Sequence, residues 1–244
     1  MKVIQLPEGK VDLWWATTDN YSTGQSTAIL TLLNEEERRR YDAFRVSSAR
    51  IQFLAARALL RMTLSRYHNS APNTWYFNLN AYGRPSVCNN LAATNLHFSV
   101  SHTDGMVACA VGHFSEFGID VERLDRHIDV AEMLLNVLAP SEIAQLNDMP
   151  EDKRSEHFLL LWTLKEAYVK ARSMGLSLPM NGVAFDLTGE RPRSQFAGTI
   201  VDDPLRWTFQ HFSPTPKYTI SIAAALPQGK LKLQLYRTNV FNRV

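Results

Sequence analysis

Cysteine is scarce in this chain: Cys88 and Cys109 are the only two in 244 residues. Their separation is not that of a zinc site, and two cysteines do not make a disulfide framework. Cys109 lies inside the apolar run Met106 to Val111 and reads as a small core residue. Long hydrophobic runs are missing too. No stretch approaches the roughly 20 apolar residues that cross a bilayer. The opening segment, Met1 to Leu6, lacks the apolar length of a secretory signal. Neither sign of charge dominates, with 26 Lys and Arg against 24 Asp and Glu. A net charge of +2 calls for no nucleic-acid partner. Together these absences predict a cytoplasmic, reduced protein with no membrane and no nucleic-acid role.

What is present is ordinary for a globular protein: 45% apolar and 20% charged residues. That length and composition can bury a sizeable core in one large domain or two small ones. Arginine is the exception to evenness. Arg38, Arg39, Arg40, Arg45, Arg50, Arg57, Arg61 and Arg66 crowd one stretch. A solvated helix face explains such a run, and an anion site is the alternative.

Val11 to Ala16 reads as a first strand. A helical region follows from Ile29 to Phe44, opened by Asn34 with Glu35, Glu36 and Glu37 behind it, as the helix dipole favours. A second helix runs from Ser48 to Tyr67, where apolar residues recur every three or four positions. Strands follow at Trp75 to Leu79, Leu96 to Ser101 and Met106 to Val111, with Asn80 to Pro85 as a loop. In the second half, Gly118 to Glu122 is a strand and Ile128 to Leu138 a helix. A short segment opens at Pro140, and a long helix spans Ser155 to Ser173, stopped by Gly175. Strands follow at Val183 to Leu187, Leu205 to Phe212 and Tyr218 to Leu226, with one more at Leu231 to Tyr236. Each half thus repeats one α+β order without a residue-level repeat. Two similar lobes are expected, an N-terminal lobe over 1–112 and a C-terminal lobe over 113–244 that carries the acidic residues. A cleft between such lobes is a common ligand site.

Four segments carry chemistry. In Ile119-Asp120-Val121-Glu122 the side chains alternate, so both carboxylates share one face about 7 Å apart. Such a pair can share a hard cation, although an ordinary solvent-facing strand explains it more simply. In Trp162-Thr-Leu-Lys165-Glu166-Ala-Tyr-Val-Lys170, Glu166 and Lys170 stand one turn apart. That arrangement suits a metal–phosphate site or a routine helix ion pair. In Phe98-Ser-Val-Ser101-His102 a hydroxyl and an imidazole near a strand end can donate to phosphate oxygens. A hydrolase triad fits poorly there, because neighbouring strand residues point apart and no Gly-x-Ser-x-Gly elbow exists. In Gly83-Arg84-Pro85 a stiff loop offers a permanent cation.

In this order, and with Gly175-Leu-Ser-Leu-Pro179 following, the segments resemble the motif set of the Sfp-like 4′-phosphopantetheinyl transferases. The resemblance spans roughly Glu35 to Pro179. It implies that family's fold, two α+β lobes related by pseudo-twofold symmetry, in a monomer. It also implies transfer of phosphopantetheine from coenzyme A to a serine of an acyl or peptidyl carrier protein, leaving 3′,5′-ADP, often in secondary metabolism. Asp120, Glu122 and Glu166 match the family's Mg²⁺ ligands (Mn²⁺ being an alternative), with Glu166 also the candidate base. Lys170 matches a pyrophosphate contact, His102 and Ser101 phosphate contacts, and Arg84 a nucleotide contact. Arg40 matches a phosphate-binding lysine. Two positions depart from the pattern: Ser99 replaces a common asparagine and Gln52 a common arginine, which bears on the first lobe's phosphate contacts. A non-catalytic carrier- or nucleotide-binding protein and a metal-dependent phosphoesterase are the rival readings.

Overall fold

The computed structural model describes residues 3–19, 23–88, 95–126, 130–198 and 200–241. It divides into two compact units: Met1–Ala81 with Pro85–Ser115 and Lys232–Val244, and Tyr82–Arg84 with Glu116–Leu231. The main boundary falls at 115/116, where a division at 112/113 was expected, and the units also exchange two segments. The C-terminal segment returns to the first unit, and the three residues Tyr82–Arg84 belong to the second.

The first unit is built on β1 (Lys10–Thr17), β4 (His97–Thr103), β5 (Met106–Gly112) and β11 (Lys232–Arg237), in the order β11-β1-β5-β4. β5 pairs antiparallel with both β1 and β4, and β11 lies parallel to β1. A parallel neighbour requires a long crossover, here most of the chain. Tyr236 of β11 stacks on Trp14 of β1 with centroids 4.2 Å apart. The helix α3 (Ser47–Tyr67) lays its apolar stripe on the sheet, burying Leu54, Ala58 and Leu59 with Val107, Cys109 and Val111. Cys109 is a core residue, as its apolar run implies. The helical region expected over Ile29 to Phe44 is two helices, α1 (Thr23–Leu30) and α2 (Glu35–Ala43). Asn34 explains the break. Its side chain accepts from Glu37 N while Glu37 Oε2 accepts from Asn34 N, a capping box that starts a new helix. The loop after β2 (Tyr76–Leu79) leads into a short strand the sequence did not reveal, β3 (Pro85–Cys88). Gly83, at φ +81°, makes the turn between them.

The second unit pairs β6 (Phe117–Arg123), β10 (Tyr218–Ala224) and β9 (Thr208–Thr215) antiparallel, in the order β6-β10-β9. A separate hairpin joins β7 (Val183–Asp186) to β8 (Arg193–Phe196). Helices α4 (Val130–Val137) and α5 (Pro140–Asp148) precede the long α6 (Glu151–Arg172). Part of the helix expected from Ile128 falls outside the described residues. Helix α6 packs along β6 and β10, with Phe158, Leu161, Leu164, Ala167 and Tyr168 in the core. Glu151 and Asp152 in its first turn, and Lys170 and Arg172 in its last, match its dipole. Each unit therefore sets one long helix against a sheet, mixed in the first unit and antiparallel in the second, the α+β class expected.

Candidate active site

The strand β6 presents Gly118, Asp120 and Glu122 on one face. That face looks at α6, because a Cβ built on Gly118 would meet backbone atoms of Ala167 and Ala171. An outward polar face would leave Asp120 and Glu122 in water. They are instead only 5% and 8% exposed, and Ile119 and Val121 on the opposite face are buried as well. The carboxylates are held between strand and helix.

From the helix side, Lys170 Nζ donates to Asp120 Oδ1 at 2.6 Å. Glu166, half-buried, stands one turn earlier on the same side. Burial pushes its carboxyl above the ordinary value of 4.5, and the negative charge of Asp120 adds to the shift. Lys170 pulls the other way, and Glu122 pushes up again. Arg126 lies 3.2 Å from Glu122. Directly across the sheet from Asp120, Ser221 donates to Thr163 of α6 at 2.8 Å, continuing the polar seam. Asp120, Glu122, Glu166 and Lys170 thus share one neighbourhood of the second unit.

Among the described residues, no three His, Cys, Asp or Glu side chains gather tightly enough to enclose a metal ion as they stand. The donor set is still that of a hard divalent cation, with oxygen ligands only. Burial is the larger cause of the upward shift at Glu166, and the repulsion from Asp120 and Glu122 that adds to it is what such a cation would relieve. Lys170 supplies the compensating charge at Asp120 in this arrangement.

Arg84, expected as a nucleotide contact, donates to the end of α6 and to β6. Its Nη1 donates to Lys170 O at 3.0 Å, to Ala171 O at 3.2 Å and to Ser173 Oγ, and its Nη2 donates to Phe117 O at 3.2 Å. A cation on the last carbonyls of α6 is a C-terminal cap, favoured by the dipole. Ser173 ends the helix in the left-handed region at φ 57°.

Lys165 and Glu142 were not legible as a pair. Lys165 Nζ is 2.7 Å from Glu142 Oε2, with both side chains essentially inaccessible. It also donates to Met180 O at 3.0 Å and to Val183 O. Glu142 in turn accepts from Ala139 N at 2.8 Å and Phe185 N at 2.9 Å. The lysine beside Glu166 therefore points into the interior and ties α5, α6 and β7 together. No spacing in the sequence links positions 142 and 165. Beside them, a groove of about 330 Å³ runs between Met133, Val137, Trp162, Leu178, Pro179 and Met180.

The remaining expected site residues belong to the first unit. Ser101 is buried and His102 exposed on β4, facing opposite ways. Gln52 Nε2 lies 3.4 Å from Asp104 in the turn after that strand. Arg40, exposed at the end of α2, sits 5.5 Å from the centre of the Phe53 ring.

A family model described as "4′-phosphopantetheinyl transferase superfamily" matches residues 116–223. A second, described as "4′-phosphopantetheinyl transferase, N-terminal", matches residues 15–113. Their seam falls where the first unit gives way to the second. Among curated relatives, the chain is similar to the 4′-phosphopantetheinyl transferase HetI of Nostoc sp. It is 29% identical over 174 residues, which is 71% of this chain and 73% of the relative. A 4′-phosphopantetheinyl transferase of Bacillus subtilis is 26% identical over 68% of this chain and 71% of its own length. The 4′-phosphopantetheinyl transferase Sfp of Bacillus subtilis strain 168 is 23% identical over 84% and 88%.

Proposed function

Because this chain belongs to the 4′-phosphopantetheinyl transferase superfamily, we propose that the seam between β6 and α6 is where it transfers phosphopantetheine from coenzyme A to a carrier protein. A serine hydroxyl of the carrier attacks the β-phosphorus of the pyrophosphate. A phosphodiester forms, the bond to the bridging oxygen breaks, and 3′,5′-ADP leaves. The observation that carries the assignment is the convergence of Asp120, Glu122, Glu166 and Lys170 on one seam.

Glu166 is the residue suited to take the serine proton. A base works best when its proton affinity lies nearer the operating pH, and burial beside Asp120 moves Glu166 that way. Lys170 would exchange its contact with Asp120 for the pyrophosphate oxygens, where charge builds on the leaving group. Asp120, Glu122 and Glu166 would hold Mg²⁺, or Mn²⁺ in its place, which supplies charge neutralisation for the pyrophosphate when bound. Arg84 acts indirectly in this reading, by capping the helix turn that carries Lys170. Trp162 stands one turn before Glu166, and its apolar groove suits the aliphatic stem of the pantetheine arm. In the first unit, Ser101, His102 and Arg40 are the candidate contacts for the nucleotide phosphates.

Intact mass spectrometry tests the proposal. An apo carrier protein should gain one phosphopantetheine in the presence of coenzyme A and Mg²⁺, and excess chelator should stop the gain. Undiminished transfer in chelator would overturn the metal reading. Hydrolysis of coenzyme A without any carrier would favour a phosphoesterase.

A further inference from the structure

Gly118 stands two residues before Asp120, on the same face of β6. A Cβ placed there would lie 2.5 Å from Ala171 N and 2.8 Å from Lys170 Cβ, and closer still to Ala167 O. Two of these three are helix backbone atoms and cannot rotate aside. Ordinary carbon contacts need about 3.5 Å, so a methyl group here would force α6 away from β6 by about 1 Å. The backbone is not in the left-handed region at Gly118, so a turn does not demand this glycine. The close approach of the helix does. The segment it touches, Ala167 to Ala171, carries Lys170 itself and begins one residue after Glu166.

We infer that Gly118 is a positioning residue: its bare Cα seats α6 against β6 closely enough for Glu166 and Lys170 to share one site with Asp120. The inference rests on the assignment of that seam as the reaction site. Displacements of about 1 Å at reacting groups cost on the order of a hundredfold in rate. A helix held off by a methyl group would loosen the Lys170–Asp120 contact and part Glu166 from the strand carboxylates. Ala223, directly opposite Gly118 on β10, is buried on the same face and offers a milder wedge.

The test compares Gly118→Ala with Gly182→Ala. Gly182 lies in the same unit, where a Cβ would press Ile200 Cδ1 and Ala197 O at 3.0 and 3.1 Å, and none of the three nearest atoms belongs to α6 or β6. Mn²⁺ binding by the full chain is measured by electron paramagnetic resonance, without coenzyme A. Turnover is measured separately, and folding by circular dichroism. Gly118→Ala should weaken Mn²⁺ binding at least tenfold and lower kcat about a hundredfold, with a smaller change in KM for coenzyme A. Gly182→Ala should lose thermal stability but keep Mn²⁺ affinity and kcat. A folded Gly118→Ala with wild-type Mn²⁺ affinity and kcat would overturn the inference, as would two glycine variants that behave alike. If Gly118→Ala does not fold, Ala223→Val is read in its place, and unchanged Mn²⁺ affinity and kcat there overturn it equally. Wild-type protein that binds no Mn²⁺ would sink the metal assignment instead, and Gly118 would then be judged on kcat.

Discussion

Replacing Lys165 by methionine separates an interior lysine from a substrate-binding one. Its ammonium is inaccessible and sits 2.7 Å from Glu142. The change leaves Glu142 buried with its charge uncompensated and takes the donor from Met180 O and Val183 O. Breaking a buried ion pair from one side costs about 3–5 kcal/mol. Two N–H groups, of Ala139 and Phe185, still support Glu142, which favours the lower end of that range. For a unit of this size, such a cost lowers the melting temperature by on the order of 10 °C or more. Adding Glu142→Gln to Lys165→Met removes the stranded charge but turns one acceptor into a donor facing a backbone N–H. The double variant should therefore recover only about 1–2 kcal/mol, a coupling that a thermal double-mutant cycle resolves. Assayed well below its transition, Lys165→Met should keep turnover within about an order of magnitude of wild type, whereas loss of a catalytic base at Glu166 should cost about 10²–10⁴-fold. A Lys165→Met protein that melts like wild type yet has lost turnover as fully as Glu166→Gln would refute the interior role.

Glu166→Gln should stabilise the protein while stopping its chemistry. The folded-state proton affinity of Glu166 is raised, so the stability it contributes is complete below the ordinary value of 4.5 and is lost as pH climbs through the folded value. Metal-free Glu166→Gln should then melt above wild type at pH 8, with the advantage fading toward pH 4. An equal or lower melting temperature at pH 8 would contradict the repulsion inferred at the seam. His102→Ala should weaken coenzyme A roughly ten- to a hundredfold while scarcely affecting 3′-dephospho-coenzyme A, since a hydrogen bond to a charged group is worth about 1.5–3 kcal/mol. An unchanged ratio of the two dissociation constants, measured by calorimetry, would move the 3′-phosphate contact away from His102.

Local pattern was enough for the elements that position the site. The three- and four-residue spacing of Leu54, Ala58 and Leu59 marked α3, and alternation put Asp120 and Glu122 on one face of β6. One helical turn put Glu166 and Lys170 together on α6. These are nearest-neighbour relations, and chain geometry fixes them wherever the elements form. The capping box at Asn34 was visible as residue types, yet the break it makes between α1 and α2 was not drawn from them. The short strands β3 and β8 left no alternation long enough to read.

What the tertiary structure alone decided involves residues far apart in the chain. Leu231 to Tyr236 reads as a strand, but only the fold shows that it crosses back to lie parallel to β1 in the first unit. A strand's sequence states its faces and not its neighbour. Arg84 carries the same charge whether it meets a phosphate or the end of α6, and only the fold shows that the carbonyls of Lys170 and Ala171 lie within its reach. Lys165 and Glu166 are adjacent in sequence, yet the first is buried against Glu142 and the second lies beside Asp120. The roughly 100° between successive helix residues turns one inward and the other toward the seam, and which direction is inward depends on what the helix packs against. The spacing of the acids is written in the sequence, whereas their burial between β6 and α6, which sets the proton affinity of Glu166, exists only once helix and strand have closed over them.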